Sequence, residues 1–439
     1  MPESLQFARG TSVVALLVML AVASCSRQET PVRPVATTQN RPAEPGDTGL
    51  ASAEWRQFHG PNLDNVSTET GLLKAWPAGG PERIWTVEGI GMGFSSAAIA
   101  DGLIYTAGNR GGETTITALD LNGQLQWQKP NGASWTDSYE GARGTPTIDG
   151  NRLYHESPHG RVICMDAKTG QEIWSRNILD DFGSKNLKWA LAESVVIDGD
   201  HVICTPGGPQ TCIVALDNTT GKTAWQSPSA QGDLAGYASP ALGQLGDVRM
   251  ILQMTGKALV GVNADTGDLL FRLEHDTRYD VNAMRPIFKD GYVFISSNYG
   301  TGSVMFKLNL DGGRVVAQKV WEHKPLDNHH GGVVLVDGYL YGSSGRGWHC
   351  LKWETGQSAY QERGVGKGSL TCADGMLYTL SENHKMGLVA ATPSGHQLVG
   401  RFDLPGGGQG QSWAHPVVCG GRLYIRHGDF LYAYDVKAQ

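Results

Sequence analysis

Paired cysteines are missing from this chain. Beyond Cys25, the cysteines Cys164, Cys204, Cys212, Cys350, Cys372 and Cys419 form no adjacent pair, no Cys-x-x-Cys and no Cys-x-x-Cys-His run. That argues against thiolate metal clusters and covalently held c-type haem. Cys204 and Cys212 flank the Gly207-Gly208 turn and can face each other across a hairpin; buried free thiols in strands are the simpler expectation. No basic stripe occurs, and the net charge of −7 makes nucleic acid a poor partner. There is no Ser/His/Asp order or nucleophile elbow, and Gly366-Lys367-Gly368-Ser369 lacks the spacing of a phosphate loop while still offering an anion site. The apolar run Val13 to Val22 is too short for a stable membrane span.

That run follows Arg9 and leads into Val22-Ala23-Ser24-Cys25, which resembles the bacterial lipobox. Residues 1–24 then read as a lipoprotein signal peptide, with Cys25 as the lipidated residue and membrane attachment through it. Residues 25–53, rich in Pro, Thr and Gln, read as a flexible tether. Residues 54–82 carry Trp55, Phe58 and Trp76 and read as a segment packed on the following domain.

What the chain has in abundance is glycine, 59 residues, and repetition. From Arg83 onward one unit recurs eight times: a short apolar strand, a turn, a second strand, then a third ending in acidic-x-x-x-Gly before an aromatic. The first turns fall near Asp101-Gly102, Asp149-Gly150, Asp198-Gly199, Gly246-Asp247, Asp290-Gly291, Asp337-Gly338, Asp374-Gly375 and Gly420-Gly421. A spacing of about 46 residues suits four short strands and their turns. The aromatics Trp127, Trp174, Trp225, Phe271, Trp321, Tyr360 and Phe402 close seven units; the eighth, Trp85, precedes the first turn. The last unit ends at Asp435 without a fourth strand, and Arg83 to Glu88 can supply it. This predicts an all-β, eight-bladed β-propeller over 83–439, closed by an N-terminal strand so that no sheet edge is left open.

In a propeller the residues just before each innermost strand ring one mouth of the channel. Here those positions and their neighbours include Glu140, Arg143, Trp189, Glu193, Arg285, Asn328, His330, Lys367, Trp413 and His415. Carboxylate, guanidinium, imidazole and indole groups converging on one concavity make a ligand site. The adjacent His329 and His330, read on extended backbone, point opposite ways, so a paired His-His metal site is not expected.

Units such as Ala215-Leu216-Asp217-Asn218-Thr219-Thr220-Gly221-Lys222-Thr223-Ala224-Trp225 resemble the tryptophan-docking repeat of quinoprotein alcohol dehydrogenases and of BamB-type outer-membrane assembly lipoproteins. Trp55-Arg56-Gln57-Phe58-His59-Gly60-Pro61-Asn62, Gly91-Met92-Gly93-Phe94-Ser95-Ser96, Asn328-His329-His330-Gly331-Gly332 and Gly366-Lys367-Gly368-Ser369-Leu370 resemble the PQQ-binding-like propeller proteins, some of them polyvinyl-alcohol-dehydrogenase-like. The resemblance implies an exported, lipid-anchored propeller on the periplasmic face of the outer membrane or at the cell surface. It implies a monomer binding a protein or envelope polymer. Its other branch implies pyrroloquinoline quinone (PQQ) and calcium, with Glu193 and Asn328 as calcium ligands, Trp189 or Trp413 stacking, and Arg285 or Lys367 polarising a quinone oxygen. The disulfide of adjacent cysteines and the haem motif of that branch are absent, and no catalytic Asp can be nominated.

Overall fold

The computed structural model describes residues 30–34 and 52–438. Cys25 and the lipobox lie outside them. Eight antiparallel sheets are arranged as the repeat predicts, and the one helix among the described residues is the single turn Ile178–Asp181. Blade 1 spans 98–133, blade 2 147–177, blade 3 196–226, blade 4 241–274, blade 5 287–323, blade 6 333–362 and blade 7 368–403. Blade 8 takes three strands from 417–435 and its outer strand from Arg83–Glu88, which pairs antiparallel with Phe430–Asp435. Within the span read as a tether, Arg33–Pro34 adds two residues outside that strand, and Arg33 Nε donates to Glu88 Oε1 at 2.8 Å.

The inner turns divide into two kinds. In blades 1, 5, 6 and 7 both residues of Asp-Gly have positive φ; in blades 2 and 3 the loop sits one residue later than Asp-Gly, and there as in the Gly246-Asp247 loop of blade 4 a glycine, Gly150, Gly199 or Gly246, leads it. Both arrangements match the twist of a two-residue hairpin.

The repeat exists because consecutive blades lock together through it. Trp127 Nε1 donates to Ala167 O at 3.1 Å, Trp174 to Asn218 O at 3.1 Å, Trp225 to Ala264 O at 3.1 Å and Trp321 to Trp353 O at 3.0 Å. Each acceptor lies in or beside the acidic-x-x-x-Gly turn of the next blade. The glycine ending that turn lies flat on the indole: a Cβ on Gly170 would come within 2.7 Å of the Trp127 ring, and one on Gly221 within 2.7 Å of Trp174. Trp85 repeats the contact on Leu121 O at 3.0 Å, so the seam between blades 8 and 1 is built like these four; blades 4, 6 and 7 carry Phe271, Tyr360 and Phe402 at this position, which have no indole N–H to donate.

A second lock runs round the channel. At four inner-strand entrances the hydroxyl accepts the N–H of its counterpart in the preceding blade: His415 N to Ser96 Oγ, Ser96 N to Thr145 Oγ1, Thr145 N to Ser194 Oγ and Ser194 N to Ser239 Oγ, each at 2.9 Å. The run stops at Arg285, Gly332 and His415, which carry no hydroxyl, and the Ser369 hydroxyl donates instead to Ala414 O at 3.1 Å.

The stretch 55–73 crosses the channel on the side opposite that ring. Trp55 exchanges two backbone bonds with Ile99, Arg56 O accepts from Ile148 N, and Arg285 Nη1 donates to Leu63 O at 2.8 Å. Val66–Ser67 then runs parallel to Cys372–Ala373, and Glu69 accepts from Gly420 N and Gly421 N. His59, Leu63 and Asn65 all have positive φ. A leucine there is strained, so the surrounding blades impose the path. The six cysteines at 164, 204, 212, 350, 372 and 419 are free and buried, so no 204–212 disulfide forms.

Candidate functional site

Because 55–73 blocks the channel from one side, the mouth on the other side is a blind cup. Its floor is Phe58, stacked on buried His59 at 3.9 Å, with His415 beneath at 4.9 Å from His59. The cavity measures ≈ 210 Å³.

The wall is a near-continuous collar of rings. Going round, Phe94 lies 4.8 Å from Trp413, Trp413 4.6 Å from His330, His330 4.5 Å from His329 and His329 5.4 Å from Tyr299. Tyr299 is 5.0 Å from Tyr279, which meets Trp189 at 6.2 Å, and Trp189 meets Tyr237 at 6.2 Å. These spacings fall in the range where aromatic pairs attract. Tyr139 projects over Trp413 at 5.0 Å from the rim.

Two cations are set into this wall. Arg143 lies against Phe94 and Trp135, about 5.8 Å and 5.7 Å from their centroids, and donates to Gly141 O and Tyr139 O. Burial lowers it to about 10, so it stays charged at neutral pH. Lys367 Nζ sits 3.0 Å from Glu382 Oε1 and 3.3 Å from His329 Nδ1, and His330 Nε2 lies 3.0 Å from the same carboxylate oxygen. Burial pushes the Glu382 carboxyl up, but the close approach of His330 and the Lys367 charge more than offset it and hold it below the usual carboxylate range. Burial keeps both imidazoles neutral, with His329 lowered to about 2.

Two close backbone crossings create this corner. A Cβ on Gly331 would fall 1.9 Å from Gly368 O and one on Gly368 1.8 Å from Leu380 O, so only glycine lets the two loops touch. The chain bends at His330 and Gly331, and both imidazoles turn into the cup. The expectation that they point apart is therefore corrected: it assumed extended backbone.

Of the residues nominated from sequence, Arg143, Trp189, His330, Trp413 and His415 line the cup, and Lys367 stands at its wall through His329. Glu140 is exposed outside it. Arg285 is buried and faces the blocked side, beside Leu63 and Asp64. Asn328 is buried and donates to Gly332 O at 3.0 Å and Ser343 O at 2.9 Å, shaping the histidine loop. Glu193 is turned behind the wall, where Gln253 Nε2 reaches its Oε2 at 3.0 Å. A calcium and quinone site built on Glu193 and Asn328 is thus not assembled: neither lines the cup, and each is bound to different partners.

Tyr299 and Glu382 were missed. Both lie just past the second strand of a blade, which runs back to the mouth, so reading the ends of second strands as well as the starts of first strands would have found them.

Glu193 shares its buried space with Glu156, both of whose oxygens lack a protein partner. Burial, then the neighbouring Glu193, raises Glu156 well above its ordinary value; burial raises Glu193 from 4.5 to about 8. The folded chain thus keeps protons that the unfolded chain loses. This contribution is complete below about pH 4.5 and falls away as pH rises toward 8. The buried, neutral His155 and His415 act oppositely, but mainly below pH 6.5. The melting temperature should therefore drop between pH 7 and pH 8, and Glu193→Gln should flatten that drop. An unchanged slope in the variant would remove the carboxyl pair as its cause.

The family profile described as outer membrane protein assembly factor BamB matches residues 112–362. A BamB from Kangiella koreensis is 25% identical over 222 residues, 47% of this chain and 49% of that protein, so the chain spans about half the length of this relative. Quinohemoprotein alcohol dehydrogenase ADH IIB of Pseudomonas putida is 30% identical over 151 residues, 32% of this chain and 21% of the enzyme. Among solved structures, BamB from Moraxella catarrhalis superposes with a TM-score of 0.56 at 17% identity, covering 79% of this chain and 95% of its own.

Proposed function

The chain belongs to the outer membrane protein assembly factor BamB family, and from that premise we propose that it is a binding module whose cup docks an extended segment of a partner protein without acting on it chemically. The observation that carries this reading is the aromatic collar with Arg143 and Lys367 set in it. Rings with few rotatable bonds, surrounding a fixed floor, bind apolar side chains at little entropic cost, and the cations select and orient an acidic or C-terminal group. The cup is preformed by blade-to-blade locks, so docking needs little rearrangement.

Trp413 is the point where Phe94, Tyr139 and His330 meet. Trp413→Ala should weaken partner capture by about 2 kcal/mol, roughly 30-fold, the loss expected for a hot-spot tryptophan. Site-specific photocrosslinking from position 139, followed by mass spectrometry, reads it out: a peptide adduct that disappears in Trp413→Ala supports the reading. An adduct of equal yield in the variant places binding elsewhere, and a glycan adduct makes the ligand an envelope polymer.

Export and lipid attachment at Cys25 belong to the same proposal and rest on the lipobox resemblance. More than one acyl chain is needed for stable anchoring. Cys25→Ala should move the protein from the membrane to the soluble fraction; wild-type partitioning would refute the anchor.

The oxidoreductase reading keeps one supporting observation, the match to quinohemoprotein alcohol dehydrogenase ADH IIB. Adding PQQ and calcium to the full chain tests it. A bound-quinone absorbance with dye reduction by alcohols would replace the docking reading.

A further inference from the structure

We propose that His329, His330 and Glu382 form a site for a divalent first-row transition ion of the zinc class in the wall of the cup, held by Lys367 in the metal-free state. The ligand atoms of these three residues all lie within 4.8 Å of one another, the one such group among the described residues. An ion with bonds near 2.1 Å needs tetrahedral ligand atoms about 3.4 Å apart, so modest side-chain rotation closes the set.

Three further features fit a site built for a cation. Lys367 Nζ bridges Glu382 Oε1 at 3.0 Å and His329 Nδ1 at 3.3 Å, so an ammonium already stands between a carboxylate and an imidazole. The other nitrogen of His329 is 3.3 Å from the Tyr299 hydroxyl, the kind of outer contact that fixes which imidazole nitrogen faces a metal. Both ring nitrogens of His330 are buried without a hydrogen-bond partner, although Nε2 stands 3.0 Å from Glu382 Oε1. Two imidazoles and one carboxylate select zinc-class ions over calcium or magnesium, and three protein ligands leave positions open toward the cup. Metal entry requires Lys367 to swing away, so the lysine competes directly with the ion.

The proposal is independent of what the cup docks, because the probe is the metal alone. Full chain without a histidine tag is titrated with Co²⁺ and followed by visible absorption, with Zn²⁺ competition. The expected result is one ion per chain with d–d bands of low-symmetry, four- or five-coordinate cobalt, displaced by Zn²⁺. Lys367→Met should tighten binding by about tenfold or more by removing a unit charge next to the ion. His329→Ala and Glu382→Gln should abolish the bands. Absence of cobalt bands in both wild type and Lys367→Met overturns the proposal, as do bands that persist in His329→Ala with Glu382→Gln. If that pair of substitutions prevents folding, His329→Gln alone carries the same decision, since its ring lies at the cup wall.

Discussion

Deleting residues 1–90 is expected to turn a soluble protein into an aggregating one, while deleting residues 1–53 leaves it soluble. The larger deletion strips Arg83–Glu88 from Phe430–Asp435 and bares a six-residue strand edge. It also removes Ile84, Trp85 and Val87, all buried. At about 1.5–3 kcal/mol per buried apolar side chain their loss alone approaches the net stability of a typical domain. With them go the docking of Trp85 on Leu121 and the whole channel-crossing stretch. The smaller deletion costs the two-residue pairing of Arg33–Pro34, one exposed ion pair, the Arg110 bond to Thr30 O and the part-buried Val32 and Ala53, and leaves the Arg83–Glu88 strand in place. Light scattering and size-exclusion yield of the two truncations decide the matter, and equal solubility would show that the ring does not depend on its N-terminal strand.

Arg426→Ala should cost about 3–5 kcal/mol, the scale of breaking a buried charged network by removing one member. Arg426 is 2% exposed and lies where blade 8 meets blade 1. Its Nη1 donates to Thr106 Oγ1 at 2.6 Å and to Ser95 O at 3.3 Å, its Nη2 to Gly91 O at 2.7 Å and its Nε to Gly428 O at 3.1 Å. Among the described residues no carboxylate touches the guanidinium; carbonyls and one hydroxyl hold it, and burial lowers it to about 9, still protonated at neutral pH. Removing it leaves those acceptors dry and unpaired. Arg426→Lys should recover only part of the loss, because a single ammonium cannot span the fan of acceptors. Denaturant unfolding measures both variants, and a change below about 1 kcal/mol for Arg426→Ala would assign the seam to Trp85 alone.

How far the chain could be read without coordinates follows from the range of its interactions. The blades, their closure by Arg83–Glu88 and the role of Trp127, Trp174, Trp225 and Trp321 are written in short turns, and each turn's geometry is decided by a few neighbouring residues. The mouth was legible only in part. Arg143, Trp189 and Trp413 occupy it as their position before an inner strand suggests, yet Arg285 and Glu193, at equivalent positions, turn away. Arg285 turns to the stretch 55–73, more than two hundred residues away in sequence, where Leu63 O accepts from it, and Glu193 turns to Gln253 on the next blade. The histidine corner depends on Gly331 touching Gly368, a contact that no local pattern announces.

The pairing of residue 88 with residue 430 also constrains when this protein can become itself. A chain emerging from its N-terminus presents Arg83–Glu88 first and their partner last, so the ring stays open until almost the entire sequence is available. Such long-range contacts place the molecule among slow folders, since loop-closure entropy is met before any reward arrives. Early blades can pair internally and stack through Trp127 and Trp174, yet the first strand must wait unpaired, exposed to other chains. Of all its segments, that waiting strand is the one a chaperone has most reason to hold.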